Sequence, residues 1–290
     1  MRKTLYTNLA RAFFAALALS AAAPVALAQD GNKQPAKPAP SEATKAQAAK
    51  PSVKAATTDV KAVSVVERAV EVLGGRAYMD VRTKVSRGHF TPFREGVQTP
   101  PSSFLDYTVF PDRERTDFKG QGVKIVQVNT GETGWIYDGQ AKKISDLKSE
   151  QVADFRTVMR TSLDNVLRGW WRAEGASLAY AGRREAGLAR RNETVRLIYP
   201  DGFEVEFEFD AKEGLPAKVK YKKQNAEGEQ VEEEDRYAQF LNIGAVSVPF
   251  IIDHYRAGVQ SSRVNYDEIQ FNLPVSDSLF AKPVNVKSLK

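Results

Sequence analysis

Two histidines, His89 and His254, and no cysteine are all that this 290-residue sequence offers a soft metal ion. Zinc and copper sites draw on those two residue types, so neither metal is implied, and no other cofactor is. Asp253 and His254 are neighbours in a segment that reads as a strand. Successive strand side chains point to opposite faces, so these two cannot act on each other as acid and base. The chain has no G-x-S-x-G elbow, phosphate-binding loop, G-x-G-x-x-G turn or H-E-x-x-H helix. Carboxylates are plentiful, but Glu204, Glu206 and Glu208 alternate with apolar residues and so belong to a wet face. The run Glu232-Glu233-Glu234-Asp235 lacks calcium-loop spacing; it reads as an exposed, self-repelling strand start. The expectation is a protein that is not an enzyme. A hydrolase dependent on one carboxylate or on His254 is the last alternative.

The apolar partners of those glutamates are more informative. Phe203, Val205, Phe207 and Phe209 form one face of a strand. After the turn Asp210-Ala211-Lys212-Glu213-Gly214-Leu215-Pro216, Ala217, Val219 and Tyr221 alternate with Lys218, Lys220 and Lys222. Paired across the turn, the two strands set Glu against Lys outside, each such pair contributing roughly 0.2–1 kcal/mol and helping to set register. Inside, they leave more apolar surface than two strands can hide, so something must cover it. Trp135 and Tyr137 share a face of a short strand, and Trp170 and Trp171 stand at a helix end. Each of these aromatics suits ordinary core, and together they also suit the rim or lid of an apolar cavity. Composition does not separate the two.

The elements that must position these residues follow from periodicity. Asp59 can cap a helix with Val63, Val66, Val70 and Leu73 on one side, stopped by Gly74-Gly75. Strands are expected near 81–91, 103–110, 113–119, 122–129 and 135–137, with a Pro- and Gly-bearing loop over 91–102. A second helix is expected from Ser149 to Gly169, with Val152, Phe155, Val158 or Met159, Leu163, Val166 and Leu167 on its apolar side. From there the pattern is strands, near 177–182, 194–199, 203–209, 217–223, 231–240, 248–256 and 262–271. No βαβ alternation occurs. The fold class is α+β, an antiparallel meander interrupted by a helical insertion.

The front of the chain is different. Met1-Arg2-Lys3, an apolar run over 12–23 and Ala26-Leu27-Ala28 have the form of a cleaved secretory signal peptide, cut after Ala28. Residues 29–58 are rich in Ala, Pro and Lys and read as a disordered linker. The folded domain is then 59–290. The formal net charge of +6 sits in the first 58 residues, because 59–290 holds 34 basic and 34 acidic residues. A nucleic-acid partner needs a basic domain face and is not expected. The mature chain is expected in the periplasm, without a transmembrane segment.

Val109-Phe110-Pro111-Asp112-Arg113-Glu114-Arg115, the strand through Ile125-Val126, and Gly134-Trp135-Ile136-Tyr137-Asp138-Gly139 resemble the first half of the periplasmic outer-membrane lipoprotein carrier (LolA) family. The Gly214-Leu215-Pro216 hairpin and Leu279-Phe280-Ala281-Lys282-Pro283 fit the same pattern. The resemblance implies an open antiparallel β half-barrel with helices covering the concave face, holding lipid or lipoprotein acyl chains. Its cavity would use Phe203, Val205, Phe207, Phe209, Val219 and Tyr221, with Trp135, Tyr137, Trp170 and Trp171 as rim or lid. The resemblance also allows a lipid-sensing envelope-stress module that signals to a protein partner. One position departs: carriers commonly place an Arg before the Pro, where it ties the lid, and this chain has Phe110.

Overall fold

Asp59 accepts a hydrogen bond from Lys61 N at 2.7 Å and so starts helix α1 (Val60–Val72). The helix ends as the glycine pair requires. Gly75 N donates to Val70 O and Gly74 N to Glu71 O, the paired closing bonds of a Schellman stop. Gly74 has φ 120°, and a Cβ there would lie 2.3 Å from Ala245 O. No other residue fits. The computed structural model describes residues 58–225 and 228–289. The expected signal peptide and nearly all of the expected linker lie outside the described residues.

After α1 come the short helix α2 (Arg76–Met79) and strands β1 (Thr83–Arg94), β2 (Val97–Gln98), β3 (Ser102–Val109), β4 (Arg113–Gly120), β5 (Val123–Thr130), β6 (Gly134–Asp138) and β7 (Lys143–Asp146). Helices α3 (Ser149–Thr161) and α4 (Leu163–Arg168) and a 3-10 turn (Trp170–Glu174) follow. The chain continues through β8 (Ser177–Glu185), β9 (Arg191–Ile198), β10 (Glu204–Asp210), β11 (Pro216–Gln224), β12 (Gln230–Ile243), β13 (Val246–Arg256) and β14 (Val259–Phe271).

The expected strands form, with three differences. The loop expected over 91–102 is partly a hairpin, because Glu95 and Gly96 both take positive φ and turn β1 back onto β2. Strand β7 was not anticipated. The helix expected over 149–169 breaks at Ser162, whose ψ is 148° and whose hydroxyl accepts from Asn165 N. Serine caps helices better than it continues them, and here it starts a new one.

All the strands join one antiparallel sheet in the order β7-β6-β5-β4-β3-β1-β14-β13-β12-β11-β10-β9-β8, with β2 paired to β1 off that path. Among the described residues β7 and β8 do not pair, so the sheet is an open half-barrel. Those two edges are consecutive in the chain, and the helical segment between them must travel from one edge to the other. Connectivity therefore places α3 and α4 as a lid.

The anticipated hairpin has the anticipated register: Glu206 opposes Lys220, Phe207 opposes Val219, and Glu208 opposes Lys218. Its ion pairs spread further than two strands. Glu206 binds Arg184 and Arg196, each at 2.6 Å, and Lys220 reaches Glu232 at 3.2 Å and Glu234 at 2.9 Å. The acidic run at 232–235 is thus not a repelling, exposed start. Glu232 and Glu234 join the outer ladder, whereas Glu233 and Asp235 oppose Tyr221 and Val219 on the inner face.

Candidate functional site

The concave face has two halves. Over β8–β11, α1 lies directly on the sheet through Ala62, Val65, Val66, Ala69 and Leu73, all buried. The buried stripe is rotated from the expected one, leaving Val63 and Val70 half-buried, because Ala62 and Ala69 let the helix approach closely. Val205, Phe207, Phe209 and Val219 lie beneath it with at most 1% exposure. Trp171 is buried in the same cluster. The floor under α1 is covered, but a groove of about 410 Å³ opens beside it, between α1, α2, α4 and the 3-10 turn, lined by Val66, Val70, Val166, Leu178 and the expected site residue Trp171.

The other half holds a cavity of about 270 Å³ between α2, α3–α4 and the inner face of β12, β13, β14 and β1. Phe110, Val158, Leu163, Phe240, Val248, Ile252 and Phe271 supply most of its apolar wall. Lys84, Tyr78, Asp164, Arg168 and Tyr266 supply a polar side. The cavity lies just under the roughly 300–1,000 Å³ usual for small-molecule sites.

Arg168, at the end of α4, ties this lid shut. Its guanidinium donates to Tyr78 O at 3.0 Å, Met79 O at 3.2 Å and Val81 O at 3.0 Å, and to Asp164 at 2.7 Å. The Tyr78 and Met79 carbonyls end α2 and that of Val81 lies just beyond it, a place that suits a cation, and Tyr78 O also accepts from Val81 N at 3.3 Å. The same group lies 4.7 Å from the centres of the Tyr78 and Phe110 rings and 5.6 Å from that of Trp170. Tyr78 Oη donates to Asp164 at 2.8 Å, and burial pushes the Tyr78 phenol well up. Phe110, the position where carriers commonly have Arg, is therefore covered by an arginine from the lid. A second tie joins α3 to the sheet, where Lys223 meets Asp154 at 2.5 Å.

Of the ten residues expected at the site, none lines this cavity. Phe203 and Tyr221 meet edge-to-face at 6.2 Å and line a wider, more open and polar cleft of about 720 Å³ at the end of α3. Trp170 packs against Phe110 at 5.8 Å, behind the cavity wall. Trp135 and Tyr137 are on the other face of the sheet. They oppose Val128 and Val126 in register and are covered by the C-terminal segment through Phe280 and Leu289, with Trp135 Nε1 donating to Phe280 O at 2.9 Å. Parity explains it: Ile125, Gln127 and Asn129 of β5 face inward, so Val126 and Val128 and their partners face outward.

Sequence reasoning placed Leu73, Val158 and Leu163 on the apolar sides of the helices but missed the strand residues that line the cavity. On β12–β13 a clean alternation is absent, because Gln239, at φ 55°, is left out of the pairing between Ala238–Ile251 and Phe240–Pro249. The available signal was parity. Asp106, Thr116 and Gln127 occupy inward positions two residues from Phe104, Phe118 and Ile125. Polar residues on a buried parity mark an interior that is not only core.

His254 pairs with Asp235 at 2.5 Å, across β12–β13 and not with its sequence neighbour Asp253. Burial alone would lower the imidazole, but the Asp235 charge prevails and its pKa is raised. Ser262 opposes His254 in register, yet its buried hydroxyl has no hydrogen-bond partner, so the three are not linked as a relay. Glu233 is buried beside Arg256 at 3.2 Å. Burial pushes it up to about 7 against that opposing charge.

No protein-family model matches the sequence, and no curated protein matches it. Solved structures do share the fold. A DUF1329 family protein from Desulfovibrio piger matches with a TM-score of 0.55 at 14% identity, covering 78% of this chain and 98% of that one. LolA superfamily protein NE2245 from Nitrosomonas europaea matches with a TM-score of 0.50 at 15% identity, covering 76% and 97%. MucB in the Pseudomonas aeruginosa MucA/MucB complex gives a TM-score of 0.26 at 17% identity over 77% and 62%, too loose a likeness to argue from. The chain has a LolA-like fold.

Proposed function

We propose that this protein is an exported, periplasmic binder of lipid or lipoprotein acyl chains, which it shields from water while they move between partners. The observation that carries the reading is the lidded apolar cavity of about 270 Å³ on the concave face. A buried methylene contributes about 0.8 kcal/mol, so even one short chain in such a space is held firmly. The volume suits one chain. Several chains would need the lid to lift, and the natural extension is then the floor beneath α1, where Phe203, Val205, Phe207, Phe209, Val219 and Tyr221 stand. Trp170 and Trp171 would move with that cover. Export is consistent with the expected signal peptide and with the finding that, among the described residues, no helix is long and apolar enough to cross a membrane.

Native mass spectrometry of the full chain purified from a bacterial envelope extract tests the reading, together with uptake of a fluorescent apolar probe. Bound acyl species and probe uptake are expected. Val248→Glu places a charge on the cavity wall and is expected to abolish both while the protein stays folded. Uptake unchanged in that variant would overturn the proposal. Passage of a labelled acyl chain between vesicles distinguishes a carrier from a lipid-sensing module that acts on a protein partner, since the sensor binds but does not deliver.

A further inference from the structure

At Lys84 the cavity wall borders a part of the concave face that an acyl chain does not explain. Two adjacent rows of inward-facing residues cross β1, β3, β4 and β5. One is Ser86, Asp106, Thr116 and Gln127; the other is Lys84, Thr108, Glu114 and Asn129. With strands about 4.8 Å apart, the panel is roughly 14 Å wide. It is deeply placed: Ser86, Asp106, Thr116, Gln127 and Asn129 are each at most 5% exposed.

Buried polar groups are normally hydrogen-bonded, because leaving one unmade costs about 1–3 kcal/mol. Part of the panel obeys. Thr116 donates to Asp106 at 2.7 Å and Thr108 at 3.0 Å, with Lys84 Nζ 4.0 Å away. The rest does not. Ser86 Oγ and Asn129 Oδ1 are buried with no partner among the described residues. These two stand at opposite ends of the panel, so a single displaced side chain does not account for both.

The charges are balanced. Lys84 stays charged: burial would lower it, but Tyr266, Asp106, Glu114 and Asp164 together raise its pKa. Burial raises Asp106, against Lys84, Thr116 and Thr108, and burial and Asp106 push Glu114 up to about 8. Near neutrality the two carboxyls therefore hold one proton between them, which Lys84 beside Asp106 favours on Glu114. One cation then faces one carboxylate, Asp106, and the remaining groups are hydroxyls, amides and a protonated acid. A net anion meets Asp106, and a net cation meets Lys84. A neutral head with several hydroxyls can donate and accept at every position.

We propose that the panel is a head-group subsite for an uncharged polyhydroxyl group, of glycerol or sugar type, on a single-chain amphiphile whose tail fills the adjoining cavity. The inference rests on the acyl-binding reading and adds the class of molecule. Isothermal calorimetry of the full chain with four ligands of one chain length tests it: 1-monodecanoylglycerol, decyl glucoside, decanoate and decyltrimethylammonium. The two hydroxyl-bearing ligands are expected to bind about tenfold more tightly than the two ions, the worth of one good hydrogen bond. Which of the two leads identifies glycerol or sugar as the source. Gln127→Met keeps the volume and removes the amide, and is expected to erase the tenfold preference without weakening the ions; Ser86→Ala is the second variant should the first not fold. Equal binding of all four, as when the panel holds ordered water only, overturns the head-group subsite and leaves the cavity. Tighter binding of either ion overturns it as well. Binding of none overturns both.

Discussion

The sealed half of the concave face, over β8–β11, and the open half, over β12–β14 and β1–β5, are made from the same kind of strand and differ in their cover. Helix α1 is continuous and carries alanines at 62 and 69, so it settles onto Val195, Val205 and Phe207. The α3–α4 lid is broken at Ser162 and held at its ends, by Asp154–Lys223 and by Arg168 on α2, so it spans the face without filling it. Under the strap the space lies over the sheet, whereas beside the slab it lies between the helices, in the groove lined by Val66, Val166 and Trp171. Polar residues follow the space. The sealed floor is almost wholly apolar, whereas the open half carries Lys84, Asp106, Glu114 and Gln127 inward.

The largest expected contrast is in packing. Phe207→Ala in the sealed half should lose about 3–5 kcal/mol in urea unfolding, the usual cost of a large hole in a full core. Phe240→Ala on the cavity wall should lose less than half as much, because that side chain already lacks neighbours on one side. Equal losses would erase the distinction between the halves.

Next is the tie on the lid. Arg168→Ala removes several charge-assisted bonds and takes the guanidinium donor from the Met79 and Val81 carbonyls, for a loss of about 2–3 kcal/mol. Stopped-flow uptake of the apolar probe should become faster. Slower or unchanged uptake would mean that the lid is not the gate.

Acidity separates the halves more gently. Glu114, with a folded pKa of about 8 against 4.5 unperturbed, keeps a proton that the unfolded chain has lost. Folded-state stability therefore falls as pH rises from about 4.5 to about 8. Glu233, at about 7, acts in the same sense over a narrower window. The outer-ladder Glu206 is lowered: burial opposes the shift, but Arg184 and Arg196 prevail, so its contribution is present above pH 4.5 and is lost on acidification. Thermal melts of Glu114→Gln between pH 5 and pH 8 should show a flatter decline than the parent. The smallest effect is Lys220→Met on the outer ladder, within about 1 kcal/mol, read by the same melts in high and low salt.

Much of this was legible from local pattern. Alternation over 203–223 stated the register of β10 and β11, and Asp59 and Gly74-Gly75 bounded α1 to within a residue. The site was not legible to the same degree. Phe207 and Ile252 are alike in type and in strand position, and one is floor under a helix while the other lines a cavity. Likewise Trp135 sits beside inward-facing residues in sequence, yet its cross-strand partner Val128 carries it to the convex face under Phe280.

Periodicity of 2.0 or 3.6 residues is a property of neighbouring backbone units, and the sequence by itself determined the elements, their faces, the hairpin register and the α+β class for that reason. Which face is concave, which helix seals and which one straps, and which polar rows end inside, depend on contacts between residues 90 or more positions apart. Arg168 on Tyr78 and Trp135 on Phe280 are such contacts. They come from the closure of β1 on β14 and from the helical crossing between the sheet edges, and only the tertiary structure decided them.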